Sequence, residues 1–240
     1  MGRVLVIEHD VACPPALFGT WLEDAGCTVE VCRPYSDEHY AGEPLPALDE
    51  YDALLVLGGP MAATGPHPWL APLRDLVRDA AAAGVPTLGI CLGHQVCALA
   101  FGGTVEPNPR GQQLGLLDIG WTAAAADDPL LGPLSTPRRA VQWNDDLVTR
   151  LPDGAVPLAA TPHGETQAAR FAPSVWGVQW HPEVDRAILE VWARDDEERH
   201  LASGIDQERL LDEIEAADAE LEKSWRPLAD RFAAMAGSRG

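Results

Sequence analysis

At 240 residues, 46% hydrophobic and 22% charged, the chain can bury one large core, or one core with an appendage. Its formal net charge of −20 excludes non-specific binding to nucleic acid or to anionic membrane surfaces, both of which need basic patches. The five cysteines, at 13, 27, 32, 91 and 97, are odd in number and include no C-x-x-C pair, which argues against a disulfide framework or a zinc site and for a reducing cytoplasm.

Val4-Leu5-Val6-Ile7 is a short β-rich run ending in Glu8-His9-Asp10, the pattern of a buried parallel strand and too short an apolar stretch for a signal peptide. Pro14 and Pro15 open a helix with apolar positions Leu17, Phe18, Trp21, Leu22 and Ala25, and Gly26 sits where its C-cap belongs. Residues 27–31 predict a second strand, and the proline- and acid-rich stretch 34–50 an exposed connection. A third strand, 52–57, runs straight into Gly58-Gly59-Pro60-Met61. Trp69, Leu73, Leu76, Val77 and Ala80 then mark a helical face that stops at Gly84, and the fourth strand is 86–90. This alternation predicts an α/β fold with an open, mixed but mainly parallel sheet and helices on both faces, flavodoxin-like in class.

From residue 114 to residue 180 the pattern changes to short runs at 116–121, 140–143, 157–160, 167–171 and 175–180, which predict antiparallel strands added to the sheet. After Glu183 it changes again. Val184, Ala187, Ile188, Val191 and Trp192 form one helical stripe; Leu210, Ile214, Ala217, Leu221, Trp225, Leu228, Phe232 and Met235 form another, which Pro227 is expected to kink or divide. The division expected is a domain of residues 1–184 and an acidic helical extension of residues 185–240 packed on it, whose stripe also admits a homodimer or partner surface. No run approaches the apolar length of a membrane span. The single lysine, Lys223, belongs to no phosphate-binding loop of the G-x-x-x-x-G-K-[ST] kind, so activating an acceptor with ATP by that route calls for another chain.

Chemistry concentrates at Thr87-Leu88-Gly89-Ile90-Cys91-Leu92-Gly93-His94-Gln95. A strand meets a helix here at a cysteine flanked by glycines two residues away on each side, the pattern of a nucleophile elbow with cysteine in place of serine. The corner sets the sulfur at a helix N-terminus, where free N–H groups and the dipole favour the thiolate. A buried structural thiol is the bland alternative, and the reading expected for Cys13, Cys27, Cys32 and Cys97. A cysteine nucleophile needs a base and a group that orients it. Of His9, His39, His67, His94, His163, His181 and His200, His181 stands out: it follows a predicted strand, and Glu183 lies two residues on, across Pro182. His94 shares the elbow helix and is expected to point away from the sulfur. An oxyanion hole would draw on the N–H of Leu92, the residue after the nucleophile, and on that of Gly59, since Pro60 has none. Trp143 and Trp180 are the tryptophans expected to wall the site. His181 and Glu183 have no third ligand at a recognisable metal-binding spacing, so no metal is expected.

Gly58-Gly59-Pro60, the stretch from Gly89 to Gln95, and Gln179-Trp180-His181-Pro182-Glu183, in that order, resemble the three signatures of class I (triad) glutamine amidotransferases. The likeness spans roughly residues 3 to 184 and looks closest to stand-alone members related to the glutaminase domain of GMP synthase. It implies glutamine hydrolysis through Cys91, His181 and Glu183 and a glutamyl thioester, with Gly59 and Leu92 holding the oxyanion and Gln95 binding substrate. It implies no cofactor; the ammonia is expected to pass to an acceptor that the sequence does not name, and a synthase or acceptor subunit is the kind of partner this would call for. One departure stands out: Trp143-Asn144-Asp145-Asp146 falls where relatives tend to read Trp-His-Gly-Asp, which places Asn144 beside the substrate. The same triad would serve a γ-glutamyl hydrolase or peptidase, and a non-catalytic regulatory subunit is the reading from a different class.

Overall fold

The computed structural model describes residues 2–36 and 42–238, so His39 lies outside the described residues. Seven strands form the main sheet: β1 (Arg3–Ile7), β2 (Thr28–Cys32), β3 (Ala53–Val56), β4 (Thr87–Ile90), β9 (Val156–Ala160), β10 (Thr166–Ala172) and β11 (Val175–Val178), in the order β2-β1-β3-β4-β11-β10-β9. The first five positions pair parallel, and β10 and β9 follow antiparallel.

Strand periodicity sorts the core into two layers. Val4 and Val6 join Leu55, Leu88 and Ile90 on one face, under α1 (Ala16–Asp24) and α7 (Asp218–Gly237). Leu5 and Ile7 join Leu54 and Val56 on the other, under α2 (Leu70–Ala82) and α3 (Leu92–Ala100). Helices therefore cover both faces of a mainly parallel sheet. Gly26, at φ 87°, turns the chain after α1.

Three expectations are corrected. First, β11 is not an added antiparallel strand: it pairs parallel with β4 in the middle of the sheet, Gly177 opposite Gly89 and Val178 opposite Ile90. Second, the runs at 116–121 and 140–143 do not add strands to the main sheet, which the first touches through the bridge from Trp121 to Ala159 of β9. β6 (Gln113–Asp118) and β7 (Arg139–Asn144) form their own antiparallel ribbon, and β5 (Thr104–Pro107) and β8 (Asp146–Arg150) form another that the sequence pattern did not mark. Third, the C-terminal stripe is divided not at Pro227 but at Ala216 and Ala217, between α6 (Gln207–Glu215) and α7, which runs on through Pro227. Two further helices precede them, α4 (Arg186–Asp195) and α5 (Glu197–Ala202). Trp225, Leu228 and Phe232 of α7 belong to the same hydrophobic cluster as β1 and β3.

Candidate active site

Three neighbouring strands, β3, β4 and β11, end side by side, and each hands the chain to one part of the site. Gly58 and Gly59 follow β3, Cys91 follows β4, and His181 follows β11. The sheet thus collects groups that are far apart in sequence, at the C-terminal strand ends where α/β folds carry their sites.

Cys91 sits between β4 and α3 at φ 50°, ψ −105°, one of two non-glycine residues with positive φ among those described. A strained backbone of this kind is what exposes the nucleophile of an elbow. Its N–H bonds Val178 O of β11 at 2.9 Å, and its C=O accepts the first helical bond, from Gln95 N, at 3.2 Å. The flanking glycines are sterically required. A Cβ on Gly93 would lie 2.0 Å from Val56 O, and one on Gly89 would lie 2.4 Å from the Gly93 carbonyl. Leu92 opens α3, so its N–H has no intrahelical acceptor. Gly59 packs close by, since a Cβ there would meet the Leu92 side chain at 2.9 Å.

His181 is 4% exposed. Its backbone N–H is pinned to Val141 O of β7 at 2.8 Å, and its Nδ1 lies 2.7 Å from Glu183 Oε1. Its Cε1 edge rests on Gly58, where an added Cβ would come within 3.0 Å of Cε1 and 3.6 Å of Cys91 Cβ. Nε2 makes no conventional hydrogen bond, but Cys91 is close enough to act on the ring. Burial works against an imidazolium here; Glu183 and Cys91 outweigh it and push the imidazole up to about 10. Glu183 is buried as well, and its segment is fastened by the bond from Leu17 N of α1 to Glu183 O, 3.1 Å.

The other histidines occupy different surroundings. His94 is fully buried against Gly177 and the Phe171 ring, and burial lowers it to about 3. His9 accepts from Trp69 Nε1 at 3.1 Å and is likewise lowered to about 3, by burial first and then by His67. His163 is exposed, and His67 is half-buried against Trp69.

Cys91 and His181 open into a cleft of about 370 Å³ that Gly59, Leu92, Gln95, Trp143 and Asn144 also line. Gln95 Nε2 donates to Asp146 O at 3.0 Å and to Gln179 Oε1 at 3.3 Å. Asn144 Nδ2 donates to Asp146 O at 3.1 Å and to Gln113 Oε1 at 3.3 Å. Both amides are therefore held by the loop that joins β7 to β8. Asp145 of that loop is paired with Arg199 of α5. The remaining wall includes five carboxylates, Asp10, Asp145, Asp146, Asp195 and Asp196. Burial, reinforced by Asp145, raises Asp146.

Two residues were misjudged from sequence and one was missed. Trp180 does not reach the cleft; it is wholly buried, with its ring against Trp121 and Trp225. Cys13 does not merely pack; it lines the cleft, and burial first, then Asp10, Cys91 and Glu183, raise its thiol well above the ordinary value. Trp192 of α4 is the missed one: it lines the cleft with its ring centroid 4.7 Å from that of His181. The stripe that contains Trp192 shows an apolar helical face and nothing that separates a site wall from core.

Residues 20–188 match the family model of Glutamine amidotransferase class-I. The chain belongs to the class I glutamine amidotransferase family. It is 30% identical over 194 residues, 78% of each chain, to the putative glutamine amidotransferase-like protein YfeJ of Salmonella typhimurium. It is 40% identical over 142 residues to a subunit of the glutamine-hydrolyzing GMP synthase of Methanosarcina mazei, covering 57% of this chain and 66% of that one. Among solved structures, a glutamine amidotransferase from Thermotoga maritima superposes with a TM-score of 0.83 at 23% identity over 97% of this chain and 98% of that one, a likeness of fold. Members of this family are hydrolase and transferase enzymes, and this amidotransferase has the family's mixed, mainly parallel sheet.

Proposed function

We propose that this class I amidotransferase hydrolyses the side-chain amide of glutamine with Cys91, His181 and Glu183 as its triad. The observation that carries the reading is the 2.7 Å contact between His181 Nδ1 and Glu183 Oε1, buried beside a cysteine on a strained elbow. Glu183 fixes the imidazole through Nδ1 and leaves Nε2 for the sulfur, the division of labour of a hydrolase triad.

The Cys91 thiolate attacks the carboxamide carbon of glutamine. The N–H groups of Gly59 and Leu92 receive the oxyanion. His181 gives its proton to the departing ammonia as the carbon–nitrogen bond breaks, leaving a glutamyl thioester. Water attacks the thioester carbonyl, gives a proton to His181 and releases glutamate, which restores Cys91. An imidazole pushed up to about 10 favours the imidazolium–thiolate pair with which this cycle begins. Gln95 and Asn144 border the bound substrate. The Gln95 nitrogen is spent on the Asp146 carbonyl and on Gln179, so its oxygen is the group offered to an incoming N–H.

The acidic wall bears on the choice of substrate. Carboxylates on the cleft wall disfavour a further negative charge, so glutamine is accommodated better than γ-glutamyl peptides that carry an additional carboxylate. The ammonia goes to a separate synthase or acceptor chain, a role suggested by the likeness to the GMP synthase component, and the setting proposed is the cytoplasm. No helix among the described residues is long and apolar enough to cross a membrane.

The test is ammonia release from glutamine and from a panel of γ-glutamyl peptides. The reading expects release from glutamine that Cys91→Ala reduces by about 10³-fold or more. Equal rates in that variant overturn it, and a clear preference for the peptides transfers the triad to γ-glutamyl hydrolysis.

A further inference from the structure

His181 is held on three sides: by Glu183 at Nδ1, by Gly58 at Cε1, and by the indole of Trp192, inclined at 63° with centroids 4.7 Å apart. Trp192 is itself immobilised. Its Nε1 donates to Ala12 O at 2.8 Å, and Trp143 packs against it at 6.0 Å and 64°. Ala12 belongs to a loop braced by bonds from Ala12 N to Asp10 Oδ1 at 2.8 Å and from Cys13 N to Asp10 O at 3.0 Å. Trp143 donates from Nε1 to Asp196 Oδ2 at 2.9 Å. α4 begins three residues after Glu183, its N-cap Asp185 accepting from Ile188 N at 3.0 Å, and this start brings Trp192 back over the segment that carries the triad.

We infer that Trp192 is a positioning residue for the general base: its indole fixes the plane of the His181 ring. An aromatic pair in an inclined arrangement has a preferred geometry, worth about 1 kcal/mol beyond the area it buries. Removing the indole frees rotation about the last side-chain bond of His181 and so loosens the Nδ1 contact with Glu183 that holds the imidazolium against burial. This rests on the triad reading given above, though on no particular substrate. The titratable groups that act on the ring are Glu183 and Cys91; Cys13, Asp10, Asp145, Asp146, Asp195 and Asp196 line the same cleft. Burial first, then Asp10, raises the Cys13 thiol well above its ordinary value.

The experiment follows carboxamidomethylation of Cys91 by iodoacetamide against pH, read on the Cys91 peptide by mass spectrometry, in Trp192→Met and Trp192→Phe. It needs no turnover, so it is independent of whether glutamine is the substrate. Methionine keeps bulk without a ring, and phenylalanine keeps a ring without the bond to Ala12. The expected result is that the alkaline limb moves down by about one pH unit in Trp192→Met, a tenfold change in the imidazolium equilibrium, and stays near the parent's position in Trp192→Phe. A limb unmoved in Trp192→Met overturns the inference, even if the overall rate drops. A second readout uses the parent: protonated imidazole quenches a neighbouring indole, so the emission lost in Trp192→Phe must step up as the alkaline limb is crossed. Absence of that step counts equally against it.

Discussion

The arrangement at Cys91 depends on single atoms, and its predictions are correspondingly local. Glu183 is the first-ranking support for a protonated His181 against the penalty of burial. Glu183→Gln therefore removes that support: the alkaline limb of Cys91 reactivity should fall from near 10 by about two pH units, with the ring still hydrogen-bonded. A limb that stays in place would show that the carboxylate charge is not what holds the proton. The same shift is a statement about folding. His181 goes from an ordinary 6.5 up to about 10 on folding, so its contribution to stability is complete below about 6.5 and lost as pH rises through about 10. Thermal melting of the parent should show that loss, and Glu183→Gln should show less of it. At Gly93, an added methyl has the Val56 carbonyl 2.0 Å away, a backbone atom that cannot swing aside. Gly93→Ala should cost about 3 kcal/mol by denaturant unfolding; a cost below about 1 kcal/mol would mean that the elbow relaxes more freely than its packing allows.

Between elements, the site is made by adjacency in the sheet, and this is where sequence and structure part. Hydrophobic period and turn residues are local signals, and they marked β1 to β4, α1 to α3 and the Cys91 corner within a residue or two. The elbow, the His181–Glu183 pair and Gly59 were equally legible, because each is a short motif next to a strand end. The register of β11 was not. Val175 to Val178 are buried on both faces, as a central strand must be, but the series of short runs that they close suggested further antiparallel strands. β5 and β8 escaped because they are short, carry Pro107, Asp146 and Arg150 at their ends, and pair only with each other. The boundary between α6 and α7 has no breaker residue: Ala216 and Ala217 are good helix formers, and packing turns the chain there against propensity, whereas Pro227 is accommodated inside α7. Trp180 and Trp192 exchanged roles for a related reason. Both lie on apolar stripes, and only the three-dimensional path of α4 decides which reaches the cleft.

At the scale of the whole molecule, the C-terminal helices do two jobs. α4 closes the cleft, and α7 completes the core on one face of the sheet, with Trp225 buried against Trp180 and donating from Nε1 to Arg139 O at 3.0 Å. Trp225→Ala should therefore destabilise the whole fold by about 3 to 5 kcal/mol while leaving the pH profile of Cys91 alkylation unchanged in the folded fraction. A shifted profile would mean that α7 acts on the site directly. Five aspartates line the cleft, one of them paired with Arg199, and they disfavour a further negative charge there. All of this rests on Cys91 being a nucleophile matched to a γ-glutamyl amide. The most direct measurement is labelling by 6-diazo-5-oxo-L-norleucine, an electrophilic analogue of glutamine, read by mass spectrometry. One adduct per chain on Cys91, slowed by excess glutamine and absent in Cys91→Ala, is the result predicted. Labelling that glutamine does not slow, or that falls on Cys13 and leaves Cys91 unmodified, would contradict it.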